Sequence, residues 1–483
     1  MRPGLFLLVC CALTYAQTND PPKFNGPGSC ASPSCHGGVQ IRNETTVQQN
    51  EYSIWVVHDR HTRAYNVLSN DVAKNITKLM GMKANPQEEQ RCLACHSVNP
   101  GDRLAATFPT KGGAPDLSDG VSCESCHGPA SKWLGPHTEK DWHREDWIEG
   151  GKEHGEMKDL RDIARRTENC AECHIGSATD PLKKVDHELI AAGHPDLVFS
   201  LTYYQDAMPK HWREEWEKPE MAGKAKPAAD PFFDVRAIAI SEATELRLQL
   251  QRVARNATGT QPAAVAGVPA VSLPRTVWPE YGDLDCFACH HSLTDAKDSW
   301  FLKRGFPPDP DAAGVSATAS GRRPGNPPLN ISRFVVLKEF LNDTDAAAER
   351  DLAGRVDETY RMVTALNSDR PAVARQATET ANRAAEIANM AKTATFDQAK
   401  TLRIMKGIVA NADYITRQGE RPAEQSALAL WVLYEAYSKA GKPAADTRIR
   451  ESIDALRKQV DNPSSYDAFR FANGMRSVGG LLP

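Results

Sequence analysis

From residue 331 to residue 483 the chain contains neither cysteine nor histidine. That stretch can form no thioether or disulfide and offers no imidazole to a metal. Long apolar runs are also missing. Beyond residue 13 nothing approaches the roughly 18 consecutive apolar residues that a membrane-crossing helix needs. Nor does one sign of charge dominate: 58 basic residues face 62 acidic ones, for a net charge of −4. This balance argues against a nucleic-acid partner, which would need a basic surface. The one early apolar stretch, residues 4–13, follows Arg2 and precedes Thr14-Tyr15-Ala16. It is too short to span a bilayer and has the layout of an export signal. Residues 1–16 are therefore expected to be removed and the protein to be periplasmic or extracellular, with no integral membrane segment.

The cysteines that are present fall into a pattern. Of the 12, Cys10 and Cys11 lie in the expected signal. The other ten form the pairs Cys30/Cys35, Cys92/Cys95, Cys123/Cys126, Cys170/Cys173 and Cys286/Cys289. Each pair is followed at once by a histidine: His36, His96, His127, His174 and His290. An exported chain favours disulfides, but a disulfide framework does not explain the histidines. With 14 histidines in 483 residues, chance places one after a given cysteine about 3% of the time, so five from five is roughly a one-in-ten-million event or rarer. Zinc needs four ligands per closed site, and five pairs do not divide into four-cysteine sites. The remaining reading is covalent attachment of haem c, five per chain, with iron held by the five adjacent histidines.

The spacing has a physical cause. Two thioethers must reach two vinyl groups on one porphyrin edge. Cysteines at i and i+3 lie on one side of a helical turn, and the histidine at i+4 then faces the iron. The first pair departs from this, with four residues between Cys30 and Cys35. Two extra residues can loop outward, and Pro33 opposes a regular helix there. This too is read as a haem site.

Nine histidines remain as candidates for the opposite iron face. His61 falls on a helical face with Val57, Ala64, Tyr65 and Leu68 if residues 55–68 form one helix. His137 follows the third motif by a short turn. His187 and His194 lie two turns apart on one helix side, provided the helix reaches Gly193. His211 precedes Trp212, and His291 follows a proximal ligand and points elsewhere. The candidate distal set is thus His61, His137, His187, His194, His211 and His291. His143 and His154 sit in polar sequence and read as solvated.

Trp55…Asp59-Arg60-His61…Ala64-Tyr65, then Gly120-Val-Ser-Cys123-Glu-Ser-Cys126-His127-Gly-Pro129 with His137, then Asp186-His187…Ala191-Ala-Gly-His194-Pro195, resemble the multihaem cytochromes c of the cytochrome c-554 type. The likeness covers roughly residues 25–300. It implies closely packed haems with mostly bis-histidine ligation, and it implies that His61, His137, His187 and His194 are distal ligands. This chain differs in carrying five motifs and a long C-terminal extension.

The expected fold is mainly α: a loop-rich multihaem domain over residues 17–300 with an insertion at about 218–275, a Pro-rich linker at 301–330, and a haem-free helical domain of about five helices at 331–483. Ile238, Leu246, Leu250 and Val253 keep helical spacing within residues 235–256, as do Leu352, Val356, Tyr360 and Val363 farther on. Residues 304–330 hold six prolines. Asp369 with Pro371 marks a helix start. The expected function is electron transfer with redox-protein partners. The alternative is a multihaem reductase or oxidase of small nitrogen compounds such as nitrite or hydroxylamine, with one open iron. Against it stands the absence of the Cys-x-x-Cys-Lys motif that the similar pentahaem nitrite reductases carry at the catalytic haem.

Overall fold

A computed structural model describes residues 20–483 apart from 143, 149–154, 220–225, 227, 260–276, 291–303, 305–326 and 441–445. The expected signal, most of the Pro-rich stretch, and His143, His154 and His291 lie outside the described residues. The described chain is mainly α-helical, a loop-rich part with short helices leading into a helical one. Its one sheet among the described residues is a two-stranded hairpin, β1 (Thr110–Lys111) against β2 (Ala114–Pro115).

The N-terminal part carries α1 (Glu51–His58), α2 (Asp71–Leu79), α3 (Gln90–His96), α4 (Cys123–His127), α5 (Ile163–Ala171), α6 (His187–Ala191) and α7 (Leu201–Ala207). None exceeds nine residues, and the apolar clusters between them are small. Two helices expected here are shorter than their sequence pattern suggests. Residues 55–68 do not form one helix: α1 stops at His58, Asp59 is extended, and a 3-10 turn follows over Arg60–Arg63. The Asp59 carboxylate causes the break by accepting the His61 backbone N–H, a local bond that competes with the helix. Likewise α6 ends at Ala191, before Gly193 takes φ +115°.

The helix expected at residues 235–256 forms as α8 (Phe233–Thr258), ended by Gly259 in the left-handed region. Ile238, Leu246, Leu250 and Val253 are buried, as the periodicity requires. The C-terminal part holds α9 (Ser332–Thr344), α10 (Ala346–Val363), α11 (Arg370–Ala391), α12 (Gln398–Ala410), α13 (Ala412–Arg417), α14 (Glu420–Ala440), α15 (Thr447–Val460) and α16 (Ala468–Leu481). These are eight helices among the described residues rather than about five. Capping residues punctuate them: Asp345, Asp369, Asp397, Asp446 and Asp467 each accept first-turn backbone N–H groups.

α8 packs along α11 and also meets α5, α9 and α14. Alanines of α11 (Ala377, Ala381, Ala384, Ala388) let it approach Ala243, Leu246, Leu250 and Val253 of α8 closely. Ile163, Ala171, Ile175, Phe199 and Leu201 of the N-terminal part share one core with Ile408, Leu430, Leu433 and Phe471. Each such side chain contributes about 1.5–3 kcal/mol when fully buried. The motif-bearing part and the C-terminal helices thus share apolar cores through α8.

Candidate haem sites

The Cys-x-x-Cys-His sequences lie on short helical turns. The second motif occupies α3, and the third is the whole of α4. The fourth begins on α5 and passes into a π turn over Glu172–Gly176 that carries Cys173 and His174. The fifth starts as a 3-10 turn, Cys286–Ala288, whose first free N–H is taken by the Asp285 carboxylate. The first, with the wider spacing, is a loop: a 3-10 turn ends at Cys30, and Cys35 is held by a 2.8 Å bond from its N–H to the Ser32 carbonyl. Among the described residues no disulfide joins the ten cysteines; Cys35, Cys286 and Cys289 are exposed and the others half-buried.

The proximal histidines face distal candidates. His36 and His137 have ring centres 6.3 Å apart, His174 and His61 6.2 Å, His96 and His194 6.4 Å, and His290 and His187 6.0 Å. An imidazole nitrogen sits about 2 Å from a metal it ligates. With the ring centre about 1 Å farther back, two imidazoles on opposite faces of one iron have centres about 6 Å apart. Four pairs have this spacing. For the remaining motif, the electrostatic effect of His211 is, after burial, the largest influence lowering the His127 pKa. His58, by contrast, is exposed.

The outer nitrogens are engaged in a way that suits ligation. The Nδ1 of His36 is 3.0 Å from Glu51, and that of His61 is 2.9 Å from Asp59. Carbonyl oxygens take Nδ1 of His96 (Ala64), His137 (Leu134), His194 (Pro195) and His211 (Pro209). An oxygen acceptor requires that Nδ1 carry the proton, which leaves Nε2 with a free lone pair. Burial lowers the pKa of His96, His137, His194 and His211, takes His127 to about 3 and His174 to about 4, and so favours the neutral, ligating form. His36 and His61 are raised instead, by their hydrogen bonds to Glu51 and Asp59.

Haem c also needs partners for its carboxylates. Nε and Nη1 of Arg91, Nε1 of Trp133 and the hydroxyls of Ser122 and Ser125 are buried without a hydrogen-bond partner, and all lie in or beside the motifs or their partner histidines. Donors left over in this way fit an acidic, porphyrin-sized group.

Sequence reasoning named the histidines that the structure brings face to face but missed the groups that set them in place. Glu124, between the two cysteines of the third motif, is buried and accepts the backbone N–H groups of Asn25, Gly26 and Ala130 at 2.7–3.0 Å. It thereby ties α4 to the segment leading into the first motif. Arg91, on α3, forms a buried 2.9 Å ion pair with Asp186, the N-cap of α6. Glu280 accepts the His187 N–H at 3.1 Å and pairs with Lys184 at 2.9 Å. The only available signal was position: Asp59 stands two residues before His61, Asp186 directly before His187, and Glu124 inside its motif. Gly128, immediately after His127, has φ +85°, and a Cβ there would lie 2.0 Å from the Glu156 carbonyl oxygen. His187 and His194 share a short element, but not the helix side expected for them. His194 follows the left-handed Gly193, and its N–H returns to the Leu189 carbonyl at 3.1 Å, a Schellman turn.

Residues 30–128 match the family described as cytochrome c554 and c-prime. The chain is 28% identical over 191 residues to cytochrome c-554 of Nitrosomonas europaea, an alignment that covers 37% of this chain and 70% of that protein. No solved structure matches.

Proposed function

We propose that this chain, whose N-terminal part is similar to cytochrome c-554, is an electron-transfer cytochrome carrying five haems c, each held by two histidines. The pairs are His36/His137, His96/His194, His127/His211, His174/His61 and His290/His187. Thioethers form at Cys30/Cys35, Cys92/Cys95, Cys123/Cys126, Cys170/Cys173 and Cys286/Cys289. The observation that carries this reading is the separation of 6.0–6.4 Å between facing imidazoles at four of the five motifs.

Bound haem c supplies a one-electron couple, and an iron capped on both faces offers no position to a substrate. The chain's own groups then set its properties. Two imidazoles, rather than imidazole and thioether, favour a low potential. Glu51 and Asp59 draw on the Nδ1 protons of His36 and His61, which makes those ligands more basic and favours the oxidised state further. The reading places the protein outside the cytoplasm, where it exchanges electrons with other redox proteins. No described helix is long and apolar enough to cross a membrane.

The test is intact mass and electron paramagnetic resonance on protein made with a haem-maturation system. Five haem additions and only low-spin signals are expected. Four additions with Cys30 and Cys35 unmodified would remove the wide-spaced site. A high-spin haem in the untouched protein would replace electron transfer by the reductase alternative.

A further inference from the structure

Helix α6 stands apart from the other ligand-bearing segments. It carries two facing histidines, and they face two different motifs. His194, in the turn that closes it, faces His96 of the second motif at 6.4 Å. His187, its first residue, faces His290 of the fifth at 6.0 Å. Independent contacts fix both ends of this arrangement. On the side of the second motif, Asp186 caps α6 and pairs with Arg91, the residue directly before Cys92, with both side chains almost fully buried at 2% and 4% exposure. On the side of the fifth motif, Glu280 accepts the His187 N–H, and Tyr281 sets its ring edge-on to His187 with centres 5.5 Å apart. The segment that follows is bound to the body: Asp285 N–H bonds Pro328, Asn330 N–H bonds Asp283, and Arg252 pairs with Asp283 at 3.2 Å.

Resting on the five-haem reading above, we infer that α6 is a shared ligand element, supplying His194 to the second-motif iron and His187 to the fifth, so that the fifth haem is the direct neighbour of the second. Cys286 and Cys289 are exposed while Cys92 and Cys95 are half-buried, which makes the fifth site the outer one of the two. Neighbouring redox centres feel each other's charge, because an electron on one makes reduction of the next harder.

The experiment uses the full chain in its haem-loaded form. Cys286→Ser with Cys289→Ser removes one haem, confirmed by mass, and the remaining centres are titrated potentiometrically under paramagnetic resonance. His194→Met marks the second-site signal by changing its ligand set, and His187→Met marks the fifth while leaving both thioethers in place. The expected result is that the His187 and His194 variants change two different signals. Removal of the fifth haem should then shift the midpoint of the signal marked by His194 and leave that of the His36/His137 centre where it was. If the two variants change the same signal, or if the removal moves a different centre and not the His194 one, the shared helix is wrong. If the serine variant itself does not fold, the His187→Met protein is titrated instead, and an unmoved His194 midpoint overturns the inference. Fewer than five haems in the unaltered chain would fail the underlying reading, and the mass alone would show it.

Discussion

At the scale of single residues, carboxylates decide how the histidines are presented. Glu124 satisfies three backbone donors that no other group reaches. Glu124→Ala leaves them buried and unpaired, and the expected cost is about 2–4 kcal/mol of stability, from hydrogen bonds to a charged group lost together. Denaturant melts followed in the far ultraviolet would check it, with Glu124→Gln intermediate because its amide keeps one acceptor. A second contrast separates two histidines three positions apart. His61 faces His174 across 6.2 Å, whereas His58 is exposed. His61→Ala should convert one low-spin haem to high spin, and His58→Ala should leave the spectrum unchanged. The proximal histidines were legible because the cysteine spacing announces them. The histidines facing them were legible only as a short list, because a ring brought in from a distant segment has no fixed offset in sequence.

At the scale of elements, periodicity served the long helices and failed the short ones. α8 buries the apolar stripe its sequence displays, and Asp369 caps α11 where the Asp-Pro signal placed a start. Residues 55–68 show the same spacing, yet Asp59 breaks them, since a single side-chain bond outweighs a weak helical preference over so few residues. The end of α6 depends on Gly193, whose φ of +115° suits only glycine, although the nearest side-chain atom to a Cβ there, from Ile76, would be at 3.7 Å. The strain of Gly193→Ala is therefore in the backbone and not in crowding. It should cost about 1 kcal/mol and turn His194 away from His96. The expected signature is a change in one low-spin signal with the other four intact, read by paramagnetic resonance beside a thermal melt.

At the scale of the whole molecule, the division between a motif-rich sequence and one without cysteine or histidine is plain in composition but not in packing. α8 lies in the middle of the chain and carries two acidic residues inward. Glu242 and Glu245 are buried beside Arg333, and Glu245 pairs with it at 2.5 Å. Burial pushes Glu245 up to about 7 despite the guanidinium, and raises Glu242 well above its ordinary value. The sign follows from proton counting. Between the ordinary carboxylate pKa and about 7 the folded chain holds protons that the unfolded chain releases, so these groups subtract stability as pH rises through that window. Glu242→Gln removes one of them, and the variant should gain on the parent as pH rises above the ordinary carboxylate range in urea melts. No sequence pattern disclosed this pair, because an acidic residue on the inner face of a helix looks the same in sequence as one on its rim.

The union of α8 with α11 also has a consequence in time. A ribosome delivers residues 233–258 well before residues 370–391, so Ala243, Leu246, Leu250 and Val253 of α8 lack the cover of α11 while the first four cysteine pairs are already out. That core cannot close until the C-terminal helices arrive. A chain halted at residue 330 would leave those residues without that cover permanently. It should bind a hydrophobic dye and melt well below the complete protein, and an equally cooperative, dye-silent product would show that α8 finds its partners elsewhere.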